Sequence, residues 1–244
     1  MASVSPTTLS HNDSLVLSSV FEPESSGLLS HSNSLVDPAL PPSLPHIDSK
    51  LLPELQARER AALQPLNSFA PAPSLITAAL AQLEELIAAQ PSYASAYNNR
   101  AQALRLLVGD DLFSRTVQQT SLWNDLCEAI RLAAPESEGL RVCNLQAGVL
   151  AAAYIQRGHL LLKAARKCSD LSVKEGDEEA KWLPKELSGL DKASIEEIAS
   201  KDFEMAGKYG DQEAQKLAAV TNPYARLCGG IVKEAMKAEL ASFH

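Results

Sequence analysis

This chain is short of most of what builds sheets, membrane spans and catalytic centres. Aromatic residues make up 5% of its 244 positions, and glycine fills only 11 of them. Sheets draw on aromatic and β-branched residues, so this scarcity, beside abundant Leu and Ala, favours helices. No apolar run approaches the ~20 residues that a bilayer-spanning helix needs, so no membrane association is expected. Residues 1–49 hold no Lys or Arg, which argues against a secretory signal and against a basic transit peptide. A net charge of −8 and a pI near 5.2 leave no general footprint for nucleic acid. The cysteines Cys127, Cys143, Cys168 and Cys228 form no CxxC pair. They read as reduced structural thiols, and a cytoplasmic or nuclear location is expected.

Catalytic signatures are equally scarce. No HExxH, GxSxG, GxGxxG or Walker pattern occurs. No catalytic residue, metal site or cofactor is assigned, and a non-enzyme is expected. The acidic run from Glu175 to Glu179 lacks the alternating ligands of a calcium loop and reads as solvated.

What is present falls into two parts. Residues 1–49 are rich in Ser and Pro, with five acidic side chains and three of the five histidines. Such a segment buries too little to order itself and is expected to be a mostly disordered tail. One apolar island, Leu15-Val16-Leu17 followed by Val20-Phe21-Glu22-Pro23, is expected to dock near residues 14–23. Residues 50–244 carry helical periodicity. Helices are expected at about 51–64, 75–89 with Ser74 as N-cap, 93–108, 112–134, 139–166, 192–209, 211–220 and 223–242. The stretch 168–191 is charged and reads as an insertion.

The helices repeat. Tyr97-x-x-Arg100-Ala101-x-x-Leu104 recurs as Tyr154-x-x-Arg157-Gly158-x-x-Leu161, and Asp125-Leu126-x-x-Ala129 recurs as Asp202-Phe203-x-x-Ala206. Aromatic, small and leucine positions at i, i+4 and i+7 form one helix stripe. Structural roles are expected for Tyr97, Ala101, Tyr154, Gly158, Phe203 and Ala206. Arg100 and Arg157 are expected to pair with Asp125 and Asp202. The pattern is that of a tetratricopeptide repeat, in which helical hairpins stack because one alone cannot bury its apolar face. The fold expected is all-α, with about three such hairpins, the first degenerate, and a C-terminal capping helix. The clear A-helix motifs lie 57 residues apart and the B-helix motifs 77 apart. Both exceed the 34-residue period, so loops must take up the excess.

The stretches SAYNNRAQALRLL at 95–107, YIQRGHLL at 154–161, KDFEMAGKYG at 201–210 and NPYARLC at 222–228 resemble the tetratricopeptide repeat protein 36 family. That family also carries a Leu/Val-Phe-x-Pro segment before the repeats, similar to Val20-Phe21-Glu22-Pro23. The tail and the insertions depart from it. The resemblance implies a protein-binding adaptor, heat-shock chaperones among its partners, and a link to tyrosine metabolism through protection of a partner enzyme.

Tetratricopeptide repeats bind partner segments on the concave face of their A helices. With Tyr97 and Ala101 packed inside, Asn98, Gln102 and Arg105 share the groove stripe. Asn99 lies beside them, and Gln156 and His159 hold related positions on the next A helix. An amide row suits a peptide backbone, which offers donors and acceptors alike. The other reading is that Asn98 and Asn99 bond between neighbouring repeats and set their packing. Asn99 also sits where chaperone-binding repeats place an asparagine in a carboxylate clamp. Ala152 and Gln156 stand where that clamp needs cations, so a full clamp is not expected. A second functional reading is a co-chaperone accessory that presents the N-terminal segment and the 168–191 insertion.

Overall fold

The computed structural model describes residues 34–170 and 183–225, together with 227, 231 and 234. The docking segment near 14–23, Cys228, most of the 168–191 insertion and most of the 223–242 helix lie outside the described residues. From Leu35 onward the chain is one unit, built of helices in which each long helix packs on the next.

The first helix, α1 (Leu52–Leu63), buries Leu52, Leu55, Glu59 and Ala62 along one side. A 3₁₀ turn at Gln64–Asn67, with Pro65 inside it, ends the run. Helix α2 (Pro73–Ala89) starts earlier than expected. Ala72, extended at φ −62 and ψ 144, is the N-cap, and no side chain caps the helix. Pro73 takes the first helical position, where its missing N–H costs nothing, and this displaces Ser74 from the expected cap. Helix α3 (Ala94–Val108) stops at Gly109, whose φ of 86° lies in the left-handed region that glycine tolerates.

The expected helix 112–134 is two pieces, α4 (Arg115–Gln118) and α5 (Leu122–Ala133). The break follows from side chains that compete for the backbone. Asp111 Oδ1 accepts from Phe113 N at 3.0 Å, and Thr120 Oγ1 donates to Val117 O at 2.6 Å. The same bend turns Leu112, Phe113 and Val117 into the core, each 3% exposed or less.

Helix α6 (Asn144–Asp170) begins later than the expected 139. Gly139 adopts a φ of 81°, and Val142 is extended in a parallel bridge with Val36. Helices α7 (Lys192–Lys208) and α8 (Gln212–Thr221) are capped by Asp191 and Asp211, which accept from Ser194 N and Ala214 N at 2.9 and 2.7 Å. Each such cap contributes about 1 kcal/mol. Beyond α8, Asn222 Oδ1 accepts from Tyr224 N at 2.9 Å, the bond an N-cap makes.

Packing order defines the architecture. Hairpins α1/α2, α3/α5 and α6/α7 follow one another, α8 lies against α7, and the A helices α3 and α6 touch directly. This is the all-α repeat stack expected, with three hairpins. Gly158 shows why small residues matter at the seam: a Cβ there would lie 2.9 Å from the Phe203 ring. Ala101, Phe203 and Ala206 are fully buried, and Tyr154 stacks on Tyr209 at 6.2 Å. Tyr97 is half-buried and donates its hydroxyl to Pro91 O at 3.0 Å.

Residues 35–47, which composition assigns to the tail, form a strap on the hairpins. Leu35 N donates to Lys208 O at 2.8 Å, and Val142 N donates to Leu35 O at 2.8 Å. Ser43 N donates to the buried Cys143 thiol at 3.3 Å. Leu44 is 4% exposed and packs in a cluster with Leu52, Leu86, Tyr93, Leu150 and Tyr209. A few apolar residues spaced between prolines are enough here because they enter a surface already built by helices.

Candidate functional site

The two clear repeats hold their hairpins together in the same way. Arg100 Nε and Nη2 donate to Asp125 Oδ2 and Oδ1 at 2.8 and 2.7 Å. Arg157 makes the same pair with Asp202, also at 2.8 and 2.7 Å. Each guanidinium lies 5.6 Å from the ring of the tyrosine three residues earlier, Tyr97 and Tyr154. The aspartates are almost fully buried, and each guanidinium meets its aspartate through two hydrogen bonds. Both pairs are the structural ties expected from the repeat.

Between the repeats, the amides of the stripe meet one another. Gln156 Nε2 on α6 donates to Asn98 Oδ1 on α3 at 2.9 Å, and both residues are buried. Arg105 Nη1 donates to Gln156 Oε1 at 3.4 Å, while its Nη2 stands 3.7 Å from Asp110. The Arg105 Nε is buried and, among the described residues, has no hydrogen-bond partner. Asn99 turns the other way: its Nδ2 donates to Glu59 Oε1 on α1 at 2.7 Å. The Tyr93 hydroxyl donates to the other oxygen of Glu59 at 2.8 Å. Burial, reinforced by the Glu59 charge, holds the Tyr93 pKa well above the usual phenol range, so that proton stays in place. The two asparagines therefore bond across both repeat boundaries.

Gln102 and His159 remain exposed on α3 and α6. His159 sets its ring edge-on to Phe203 at 5.2 Å. Partial burial, with Arg105 and Arg166 nearby, lowers its pKa and favours the neutral imidazole. Of the six stripe residues, Asn98, Arg105 and Gln156 come together, Asn99 joins α1, and Gln102 and His159 make no hydrogen bond among the described residues.

Sequence reasoning missed Glu59 and Tyr93. Tyr93 precedes α3 and falls outside the repeat pattern, and Glu59 belongs to the hairpin whose pattern is degenerate. The one available signal was a glutamate on the apolar side of α1, at i+4 from Leu55. Among the described residues no three His, Cys, Asp or Glu side chains group as a metal site. None of the described helices is long and apolar enough to cross a membrane.

Comparison with known proteins agrees with this architecture. A protein of Aspergillus fumigatus, L-tyrosine degradation gene cluster protein hmgX, is 39% identical over 247 residues, 96% of this chain and 94% of its own length. Tetratricopeptide repeat protein 36 of Danio rerio is 33% identical over 159 residues, 65% of this chain and 59% of that protein. The Homo sapiens protein of the same name is 26% identical over 189 residues, 78% of this chain and 75% of its own. None of these names describes an enzyme. No family model and no solved structure matches the chain. With a near full-length relative and the repeat protein 36 sequences beside it, the chain belongs to the tetratricopeptide repeat protein 36 family.

Proposed function

We propose that this protein is a non-enzymatic adaptor that holds an extended segment of a partner protein on the face of its A helices, α1, α3 and α6. The observation that carries the reading is the contrast along one stripe. Asn98 and Gln156 are consumed in tying α3 to α6, which sets the two helices side by side. Gln102 and His159, one turn further along each helix, are exposed and, among the described residues, make no hydrogen bond. An exposed amide and a neutral imidazole both donate and accept, which suits a peptide backbone. Asn98, Asn99, Arg105 and Gln156 then act as the frame, and Gln102 and His159 as the contacts.

The partner class follows from the relatives. A protein named for an L-tyrosine degradation gene cluster supports an enzyme of tyrosine breakdown as the partner, with the adaptor protecting it. A chaperone contact, which the family resemblance also implies, is proposed to avoid a carboxylate clamp. The Asn99 amide is already given to Glu59, and α6 offers Ala152 and Gln156 where two cations are needed.

The test is capture of recombinant tyrosine-degrading enzymes on the immobilised full chain. Replacing Gln102 and His159 together by Ala is expected to weaken retention by about tenfold, with the melting temperature unchanged. Undiminished retention in a folded double variant overturns the reading. Deleting residues 1–33 leaves the strap in place. Loss of capture on that deletion alone would transfer the contact to the N-terminal segment.

A further inference from the structure

Four carboxylates are buried among the described residues: Glu59, Asp125, Glu196 and Asp202. Buried charges are normally paired, since desolvation costs more than neutral hydrogen bonds return. Three follow the rule. Asp125 has Arg100, Asp202 has Arg157, and Glu196 has Lys192 at 4.0 Å. Glu59, 7% exposed, is the exception: its oxygens are held by the Tyr93 hydroxyl and the Asn99 amide, both neutral, and no cation of the described residues pairs with it. An ionised carboxylate has about four acceptor sites, so two remain for a further donor.

The exception borders open space. A cavity of about 220 Å³ is lined, among the described residues, by Gln56, Glu59 and Arg60. Arg60 lines the same cavity but makes no ion pair with Glu59, and its Nε turns back along α1 to donate to Gln56 O at 3.2 Å. Residues 1–49 cannot supply a lysine or arginine, since they contain neither.

We infer that the Glu59 carboxylate, with Gln56 at its side, is a subsite for a lysine or arginine side chain of the bound partner segment. This deepens the adaptor reading and rests on it. The subsite reverses the polarity of a carboxylate clamp: the first hairpin offers an anion to a basic residue of the partner. Tyr93 and Asn99 orient the carboxylate, and the Gln56 amide is placed to bond the segment's backbone. A cation in the cavity gives Glu59 what Arg100 and Arg157 give the two buried aspartates.

The experiment titrates the full chain with butylguanidinium and with butyramide, its uncharged counterpart, followed by amide NMR. Butylguanidinium alone is expected to shift the Asn99 side-chain amide and the backbone amides of residues 56–60. Glu59→Gln is expected to weaken that response about tenfold or more. An equal response to both probes, or an undiminished one in Glu59→Gln, overturns the subsite. Should Glu59→Gln fail to fold, the charge comparison on the unmodified chain decides alone. The adaptor reading fails separately. Unchanged capture by the Gln102/His159 variant with intact butylguanidinium binding removes the groove and keeps the subsite. Lost capture without butylguanidinium binding does the reverse.

Discussion

In the second hairpin Ala101 stands where the third has Gly158, and Leu126 stands where the third has Phe203. All four are buried. The larger ring in α7 is matched by the smaller residue in α6, with a Cβ at Gly158 falling 2.9 Å from that ring. The ion pairs beside these seams are the same to within 0.1 Å. Their surroundings differ. Asp125 takes a third hydrogen bond from Ser121 Oγ at 2.8 Å, whereas Arg157 spends an N–H on the Cys127 thiol at 3.7 Å. Burial accordingly raises the Asp202 pKa, with Arg157 opposing. The electrostatic tie is a fixed part of each repeat, while the steric partners vary in compensated pairs.

The equivalence of the two ties is open to direct attack. Asp202→Ala strands a mostly buried guanidinium and is expected to cost about 3–5 kcal/mol, read by chemical denaturation. Asp125→Ala should cost a similar amount, and a much smaller loss in either breaks the symmetry of the hairpins. The steric exchange gives the next largest effect. Gly158→Ala overpacks against Phe203 and is expected to cost about 1–3 kcal/mol. Adding Phe203→Leu makes the third seam resemble the second, and the double variant should recover most of the loss. Simple addition of the two single costs would show that the pairing is not compensated.

The smallest effect concerns pH. The folded-state pKa of His159 is lowered, chiefly by burial. Below the ordinary histidine pKa of about 6.5 the unfolded chain takes up the proton more readily. Stability therefore falls as pH drops from that value toward the lower folded pKa, and it is unaffected above. Melting curves of His159→Gln between pH 5 and pH 7 should lack that slope, while the second hairpin, with no histidine at the equivalent Gln102, adds none.

How far the sequence carried the reading depends on which residues set each feature. The Tyr, small residue, Leu stripes and the Arg–Asp spacing are local patterns, and they placed both hairpins and both ion pairs. The break at Thr120 was harder to see, because its cause is a pair of short polar side chains bonding to backbone inside an otherwise periodic run. The strap was hidden by its Ser/Pro composition: Leu35, Val36, Leu44 and Ile47 have no period, and their burial depends on surfaces made by helices distant in sequence. The stripe was legible as a stripe, but periodicity cannot tell an amide that faces a neighbouring helix from one that faces solvent. Asn98 and Gln102 differ only in that respect. Glu59 lay in the degenerate hairpin, where no repeat register was available to assign it.

The strap also changes how this array comes apart. A stack of hairpins touching only its neighbours can fray from either end, one unit at a time. Here Leu35 is bonded to the end of α7 and to Val142 before α6, while Leu44 is seated among Leu52, Leu55 and Tyr93 of the first two hairpins. The strap at 35–47 thus joins the first hairpin to the third, and the line of hairpins becomes a closed circuit. Opening the last hairpin breaks the strap's hydrogen bonds to Lys208 and Val142 as well. Melting is then expected to be a single cooperative event, in which the first and third hairpins let go together, and calorimetry in which the first hairpin melts separately would contradict it.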